Sequence, residues 1–296
     1  MTSCSPIAFA SRSGSGRGIF FALALVAVGS VRGADYNTPA IAPTKPIILY
    51  DGKTVADLSQ FYTWLGPLGY TDPNRVFTVV DELDGAPAIR VSGQDYGGIV
   101  TRQNYRDYRM VLEYRWGAAT WGDRKSRARN SGILLHCQGE DGSYRPDFKG
   151  PWLLSVEYEI LEGRTGDIIL VGGAKRGSKD KILPTLTMRA QPGDFYWDPK
   201  GTPREFVSGK GHLHWYGRDR AWKDELGFRG PQDVERPVGQ WNRAEIVAKG
   251  GDLVYFLNGT KILEAANGSL THGRLLFQSE GAEIFFRRIE LHPLDR

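Results

Sequence analysis

Three glutamates in one short hydrophobic segment are the residues of this sequence best suited to chemistry. The segment "WLLSVEYEILEG", residues 152–163, carries Glu157, Glu159 and Glu162. Its other residues are typical of a buried strand, and a carboxylate is costly beside a core unless it is paired or hydrogen-bonded. Clustered carboxyl groups can also act as general acids and bases. The segment is therefore either a strand of an active site or an edge strand whose glutamates face water.

The geometry of a strand separates these side chains into two faces. Residues two apart face the same side, so Glu157 and Glu159 share one face with Cα atoms roughly 6–7 Å apart. The opposite, core-facing side carries Val156, Tyr158 and Ile160. Glu162 would follow the core side unless a bulge at 160–161 returns it to the glutamate face. Such a bulge would line one site with three carboxylates; otherwise Glu162 is a turn residue.

His136 is the candidate partner for these carboxylates. It ends "SGILLHC", the preceding predicted strand, and shares a face there with Leu134 and Gly132. A histidine beside a glutamate suits proton transfer near neutral pH. The alternative is a core histidine whose hydrogen bonds are satisfied internally.

Three further polar residues lie near these strands. Asn130 and Ser131 could bind sugar hydroxyl groups, or they could shape the turn into the strand. Arg115 alternates with Glu113 on one face of "MVLEYRWG". It could stabilise a developing oxyanion, or it could form a cross-strand ion pair.

The segment "GHLHWYG" supplies candidates for metal and sugar binding. His212 and His214 are two residues apart, so with a carboxylate they could bind a divalent metal, although solvated loop residues show the same pattern. No cofactor is certain, and a divalent metal is the candidate. Trp215 could stack on a sugar ring, or it could pack within the loop. The same alternatives hold for Trp197, Tyr216 and Trp222.

The elements that must position these residues are short strands. Runs with period-two alternation recur from residue 47 to the end, separated by Asp-Gly, Asn-Gly and Gly-Gly turns. This pattern predicts an all-β antiparallel sandwich or jelly roll. Residues 174–236 interrupt it, being rich in Gly, Pro, Lys, Arg and aromatic residues. We expect this long irregular insertion to cover one end or face of the sandwich.

The first residues have the pattern of an export signal. Residues 1–34 contain a basic stretch, about a dozen apolar residues and then small residues, which predicts a secretory signal peptide and a periplasmic or secreted protein. Residues 35–46 form a Pro/Thr-rich lead-in to a domain at 47–296. No later apolar run is long enough to cross a membrane. Cys137 is the one cysteine that would remain, so no internal disulfide is expected.

The charge argues against nucleic acid as a partner. The leader carries three arginines (Arg12, Arg17, Arg32) and no acid, so its removal lowers the net charge from +4 to +1. There is no basic stripe with interleaved aromatic residues of the kind that binds nucleic acid.

Five segments of the chain carry a resemblance to a known family. They are, in order, "ILYDGKTVADLSQF", "NYRDYRMVLEYRWG" with "ARNSGILLHC", "VEYEILEGRTGDIILVGG", "VGQWNRAEIVAKGGDLVYFLNGTKI" and "GRLLFQSEGAEIFFRRIELHPL". Together they resemble the 3-keto-disaccharide hydrolase domain. The resemblance covers most of residues 47–294. It implies a concanavalin A-like jelly-roll sandwich of two antiparallel sheets. This sequence departs from the family in having Glu159 where glutamine is usual and in its longer insertion.

The resemblance also implies a reaction. Family members act on glycosides already oxidised to a ketone at C3, which a separate sugar 3-oxidase would supply. A base removes the C2 proton, the C1 leaving group departs by β-elimination, and water adds to give net hydrolysis. On this basis Glu157 is the expected base, His136 or Glu159 the acid, and Arg115 or a metal the oxyanion stabiliser.

Two other functions remain open. Glu-x-Glu-x-x-Glu is similar to the catalytic strand of laminarinase-type glucanases, which implies a retaining glycoside hydrolase using Glu157 and Glu162. The third alternative is a non-catalytic, lectin-like carbohydrate-binding module.

Overall fold

The chain is built almost entirely from short antiparallel strands. A computed structural model describes residues 36–294. Their strands are β1 Ile47–Tyr50, β2 Phe61–Leu65, β3 Phe77–Leu83, β4 Ala86–Val91, β5 Gly97–Thr101, β6 Tyr108–Thr120, β7 Asn130–Gln138, β8 Leu154–Leu161, β9 Ile168–Val171, β10 Gly173–Ala174, β11 Lys181–Ile182, β12 Thr185–Ala190, β13 Thr202–Val207, β14 Asn242–Lys249, β15 Asp252–Leu257, β16 Thr260–Ala266, β17 Arg274–Ser279 and β18 Ala282–His292. A single 3₁₀ turn, Gly122–Arg124, lies between β6 and β7.

Two large sheets form the sandwich. The larger runs in the order β13-β12-β16-β15-β14-β6-β18-β4-β3, with β1 paired to β18. The smaller runs β2-β5-β17-β7-β8-β9, and all of these pairings are antiparallel. The short strands β10 and β11 pair only with each other. This architecture confirms the predicted all-β jelly-roll sandwich.

The core lies between the two sheets because the alternating apolar residues of facing strands meet there. Tyr158 of β8 packs against Tyr255 of β15, with ring centroids 4.8 Å apart. Phe277 of β17 meets Phe286 of β18 at 5.6 Å. Val156 and Ile160 belong to the same core, so the inward face predicted for β8 is confirmed. Burial of this apolar surface is the main source of stability.

The opposite face of the smaller sheet carries a second apolar cluster. It includes Tyr62, Trp64, Val100, Leu134, Leu153 and Leu276. Glu157 pairs directly with Leu134 of β7 and therefore emerges on this face. The chemistry-bearing side of β8 thus looks away from the core, across the smaller sheet.

The insertion at 174–236 is partly regular. Strands β12 and β13 form a hairpin that extends the larger sheet beside β16. Strand β11 pairs with β10, and farther along the insertion an isolated antiparallel bridge joins Leu213 to Ile168 of β9. Each of these residues donates its backbone N–H to the other's carbonyl, at 2.8 and 2.9 Å. The insertion is thereby tied to both sheets.

Two segments were predicted to precede the domain, the signal peptide and the lead-in. The signal peptide predicted at 1–34 lies outside the described residues. The lead-in is held against the domain by two hydrogen bonds to Asn104. The Asn104 side-chain amide donates to the Thr38 carbonyl at 2.6 Å, and the backbone N–H of Ile41 donates to the Asn104 carbonyl at 2.9 Å. Within residues 36–294, no helix has the length and apolarity that a membrane crossing requires.

A buried carboxyl group fastens the end of the insertion to the larger sheet. One oxygen of Glu235 accepts hydrogen bonds from Tyr114 at 2.7 Å, Trp116 at 2.9 Å and Thr165 at 3.1 Å. The residue is 2% exposed. Burial, with a contribution from the charge of Asp233, raises the pKa of Glu235 to about 7.

This raised pKa makes stability depend on pH. A carboxyl group with a raised folded-state pKa stabilises the fold below its unfolded pKa, near 4.5, and that stabilisation is lost as pH rises through about 7. The difference corresponds to about 3 kcal/mol. We expect Glu235→Gln, which keeps an acceptor oxygen but cannot ionise, to remove most of this loss between pH 5 and 8. Urea unfolding across that range measures it.

The exposed glutamate of β13, Glu205, provides the matched control. Glu205→Gln should follow the wild-type pH dependence. If Glu235→Gln also followed it, the Glu235 carboxyl group would not titrate in this range.

Candidate active site

A cavity of about 780 Å³ lies on the outer face of the smaller sheet. Its floor comes from β7, β8 and β9, and much of its wall comes from the insertion. We call it the active-site cavity. Its polar and aromatic lining includes Asn130, Glu157, Glu159, Arg164, His212, Trp222, Asp224 and Glu280. The predicted pair Glu157 and Glu159 therefore does share a concave site.

Glu157 lines the floor of the cavity and is 5% exposed. A side chain at Gly132, on the adjacent strand, would collide with it, since a Cβ there would lie 2.4 Å from Glu157 Oε1. The glycine of "NSG" thus leaves the space that the carboxyl group fills. Burial raises the pKa of Glu157 well above its ordinary value, and the nearby charges of Glu280 and Glu159 raise it further.

Glu280 brings a second carboxyl group to the same cavity. It lies in the turn between β17 and β18 and is partly buried. Burial raises the pKa of Glu280 to about 8, although Arg124 opposes that shift. Two interacting carboxyl groups of raised pKa titrate as a pair, so that loss of the first proton makes loss of the second harder.

Glu159 has the opposite electrostatic environment. Burial would raise its pKa, but the guanidinium of Arg164, which donates to Glu159 Oε2 at 2.8 Å, and the nearby His212 together lower it to about 2. The other side of the Arg164 guanidinium donates to Asp167 at 3.2 Å. The pKa of Glu159 is thus shifted downward, whereas that of Glu157, two residues earlier on the same face of β8, is shifted upward.

The turn between β8 and β9 places Arg164 over the strand that precedes it. Gly163 and Gly166 have φ of +80° and +102°, conformations that favour glycine. A Cβ on Gly166 would also lie 2.0 Å from the side chain of Ile262. This tight turn sends the chain back so that Asp167, Arg164 and Glu159 meet in one buried ion cluster.

The same cluster contains a candidate metal-binding group. Glu159, Asp167 and His212 each offer a ligand atom, and these atoms lie within 4.8 Å of one another. Carboxylates with an imidazole suit a divalent cation such as Zn²⁺, which would act as a Lewis acid on a ligand oxygen. The Arg164 guanidinium contacts all three residues. A cation on these ligands must therefore displace Arg164. His214 instead contacts Asp167 at 2.8 Å and the Tyr196 ring.

His136 lies away from the glutamates, and the reason is local. The pairing of β7 with β8 shifts register between Leu135 and Gln138, and His136 has a φ of +53°. The bulge turns its side chain inward, where the ring packs on Tyr108 and Nδ1 contacts the Leu270 carbonyl at 2.9 Å. Burial lowers the pKa of His136 to about 4.

Four other candidate residues, Glu162, Arg115, Ser131 and Trp215, are not part of the lining of the active-site cavity. Glu162 follows the end of β8 in the turn, with no bulge, and pairs with Arg129 at 3.0 Å. Arg115 lies on the larger sheet and pairs with Asp84. Ser131 donates to the Gln278 carbonyl at 3.0 Å, and Trp215 is buried in the core at 1% exposure. Of the substrate-binding candidates, Asn130 lines the active-site cavity.

The structure also adds residues that the sequence did not single out. Arg164 and Asp167 follow the glutamates directly in "EGRTGD", and Glu280 lies in "QSEG". The turn flanked by two glycines could have indicated Arg164 and Asp167, because a tight turn at the end of β8 must bring the chain back alongside that strand. Nothing in the local pattern of "QSEG" indicates that Glu280 faces Glu157 across β7.

A comparison with known protein families identifies the family of this chain. Residues 45–292 match the family model described as the 3-keto-alpha-glucoside-1,2-lyase-like domain. The chain belongs to this family. The match spans every strand of both sheets, so the 3-keto-alpha-glucoside-1,2-lyase-like domain includes the active-site cavity and the insertion that walls it. The chain is accordingly a carbohydrate-active protein, as the sequence motifs predicted.

Solved structures with the same general architecture are more distant. A provisionally assigned glycosyl hydrolase from Parabacteroides distasonis ATCC 8503 is 18% identical, with a TM-score of 0.46 over 85% of this chain and 94% of that one. The LamAcat structure from Zobellia galactanivorans is 10% identical, with a TM-score of 0.40 over 88% of this chain and all of that one. No curated protein matches the chain.

Removal of Arg164 tests the electrostatic design of the site. Arg164→Met removes the guanidinium that donates to both Glu159 and Asp167 and leaves only the more distant guanidinium of Arg218, 3.6 Å from Asp167, so we expect the free energy of unfolding to fall by about 3 kcal/mol. The change also frees three ligand atoms. Added Zn²⁺ should therefore raise the thermal midpoint of the variant by several degrees more than that of the wild type, measured by differential scanning fluorimetry.

Arg176→Met is the control, because Arg176 is an exposed arginine that pairs with Glu140. It should change neither stability nor the response to zinc. Equal stabilisation of the wild type by zinc would show that a cation displaces Arg164 in the native protein.

Proposed function

We propose that this protein cleaves 3-keto-glycosides by removal of the C2 proton and β-elimination, with net hydrolysis. The observation that carries the proposal is the pair of carboxyl groups with raised pKa, Glu157 and Glu280, lining one cavity beside an ionised Glu159–Arg164 pair. Catalytic acids and bases need pKa values matched to their tasks, and such values cluster at functional sites. The family to which the chain belongs supports the same reaction.

Glu157 is the proposed base. A C3 ketone acidifies the proton on C2, and a carboxylate of raised pKa is a stronger base than an ordinary one. When Glu157 takes this proton, the C2–H electrons form the enolate with its negative charge on the C3 oxygen. The cationic Arg164, which lines the cavity, is the group placed to stabilise that charge.

Glu280 is the proposed acid. Collapse of the enolate breaks the bond from C1 to the leaving oxygen, which takes the electron pair and needs a proton. A pKa of about 8 keeps Glu280 protonated near neutral pH, so it can donate that proton. Water then adds to C1 while C2 recovers a proton, and the sum of the steps is hydrolysis.

The substrate of this reaction must come from an earlier oxidation. Converting the C3 hydroxyl group to a ketone removes two electrons, and none of the steps assigned above does so. We therefore propose a separate sugar 3-oxidase upstream. The rival retaining mechanism has less support, because its second carboxylate, Glu162, is paired with Arg129 in the turn.

The choice of substrate separates the proposal from ordinary glycoside hydrolysis. We expect release of methanol from methyl 3-keto-glucoside and none from methyl glucoside. Reaction in D₂O should also place deuterium at C2 of the product, because the proton taken from C2 is replaced from solvent. NMR measures both, with enzyme-free substrate and product as controls for spontaneous exchange. Cleavage of the unoxidised glycoside without deuterium at C2 would refute the mechanism.

Substitutions at the two carboxyl groups should differ in their dependence on the leaving group. Glu157→Gln removes the base, so kcat should fall about 10²–10⁴-fold for every 3-keto-glycoside. Glu280→Gln should cause a large loss with methyl 3-keto-glucoside but little with the 4-nitrophenyl analogue, whose leaving group needs no proton. Steady-state kinetics on both substrates make this comparison.

Two outcomes would change the roles assigned to Glu157 and Glu280. Equal losses for Glu280→Gln on both substrates would place Glu280 outside leaving-group protonation. Near-normal turnover by Glu157→Gln would remove Glu157 from the mechanism. Glu205→Gln, on an exposed strand away from the cavity lining, is the control for both variants.

A further inference from the structure

A second cavity, of about 790 Å³, lies beside the active-site cavity and takes no part in the reaction proposed above. Residues of the insertion build its wall, together with Lys261 of β16. Its volume is in the range of sites that bind small molecules. Arg218 forms the boundary between the two cavities. Its guanidinium carbon lies 5.9 Å from the ring centroid of Tyr196 in the second cavity and 5.5 Å from that of Trp222 in the first.

Aromatic side chains supply apolar surface in this second cavity. The rings of Trp197 and Tyr216 both line it, with centroids 6.0 Å apart and an interplanar angle of 59°. Tyr216 is 44% exposed, which is high for a large aromatic residue in a packed loop. Its exposed ring offers a face on which the C–H surface of a ligand can stack.

A buried donor in the same wall is left unused by the protein. Trp197 is only 7% exposed, yet its indole nitrogen has no hydrogen-bond partner within residues 36–294. Buried polar atoms are nearly always hydrogen-bonded, so a buried atom without a partner requires an explanation. An acceptor oxygen from a ligand in the cavity would satisfy this N–H group.

The charges of the second cavity cancel. Three acidic and three basic residues line it, namely Asp194, Asp198, Asp219, Arg218, Arg220 and Lys261. Several are already paired: Arg220 contacts Asp194 at 2.5 Å, and Lys261 pairs with Glu264. A strongly charged ligand would gain little net attraction here. The cavity instead suits a neutral ligand with many hydroxyl groups.

We propose that this second cavity binds a neutral sugar unit of an oligosaccharide, at a site separate from the one where cleavage occurs. A pyranose ring has an apolar C–H face and a rim of hydroxyl groups. Tyr216 takes the apolar face, and Trp197 and Arg218 donate hydrogen bonds to the rim. This binding site does not depend on the proposed reaction and would exist whatever chemistry the first cavity performs.

Binding of unoxidised neutral hexasaccharides by the full chain tests the proposal. The probes are gluco-, xylo- and mannohexaose, titrated calorimetrically. We expect saturable binding of at least one, weakened about tenfold by Tyr216→Ala. Leu226→Ala, which removes an exposed side chain of the same insertion outside both linings, should leave binding unchanged. Turnover of methyl 3-keto-glucoside by Tyr216→Ala should stay within about twofold of wild type.

A second variant and a competition experiment complete the test. Trp197→Phe keeps an aromatic ring but removes the N–H donor, so it should weaken binding severalfold while the protein stays folded. Absence of binding by all three hexasaccharides, or wild-type affinity in Tyr216→Ala, would overturn the proposal. So would competitive displacement of the hexasaccharide by methyl 3-keto-glucoside in Glu157→Gln, because the two ligands would then share one cavity.

Discussion

The buried carboxylate of Asp167 is the interaction on which the rest of the site depends. It is fully buried, and four groups from two parts of the chain converge on it: the Arg164 side chain, and from residues 214–218 the His214 ring, the Trp215 backbone N–H and the Arg218 guanidinium. A buried charge is tolerated only when its hydrogen bonds and counter-charges are nearly complete. Asp167 therefore holds the start of β9, the β8–β9 turn and the insertion in one arrangement.

One consequence is that two neighbouring glutamates of a single strand behave in opposite ways. Asp167 orients Arg164, and Arg164 in turn lowers the pKa of Glu159 to about 2. Glu157 lies too far along the floor to share that counter-charge fully and faces Glu280 instead, so its pKa is raised. Both side chains project from the same face of β8. Their pKa values differ because the β8–β9 turn brings Arg164 to Glu159, whereas the β17–β18 connection brings Glu280 to Glu157.

A second consequence is that one segment walls both cavities. His212 and Trp222 of the insertion line the active-site cavity, while Tyr196, Trp197 and Tyr216 line the second. Arg218 stands between them and approaches Asp167 at 3.6 Å. The two cavities are thus linked through contiguous charged side chains. This gives the insertion a structural role in both sites.

Much of the fold could be predicted from the sequence, because the period-two alternation of apolar and polar residues in a strand is a local property and does not depend on distant contacts. The inward Val156, Tyr158 and Ile160 and the outward Glu157 and Glu159 were determined by alternation alone. The antiparallel sandwich followed from many such strands separated by turn residues, and the family resemblance followed from motifs in order. Each of these features needs only neighbouring residues to be specified.

The tertiary structure decided what alternation cannot encode. His136 faces the core because a bulge with positive φ interrupts the alternation of β7, and no residue type in "SGILLHC" announces that bulge. Glu280 joins Glu157 because β17 pairs beside β7 across more than a hundred residues of sequence. Burial and Arg164 set the direction in which the pKa of each carboxyl group is shifted. The sequence thus determined that Glu157 and Glu159 share one face of β8, and long-range packing brought Glu280 to them and shifted their pKa values in opposite directions.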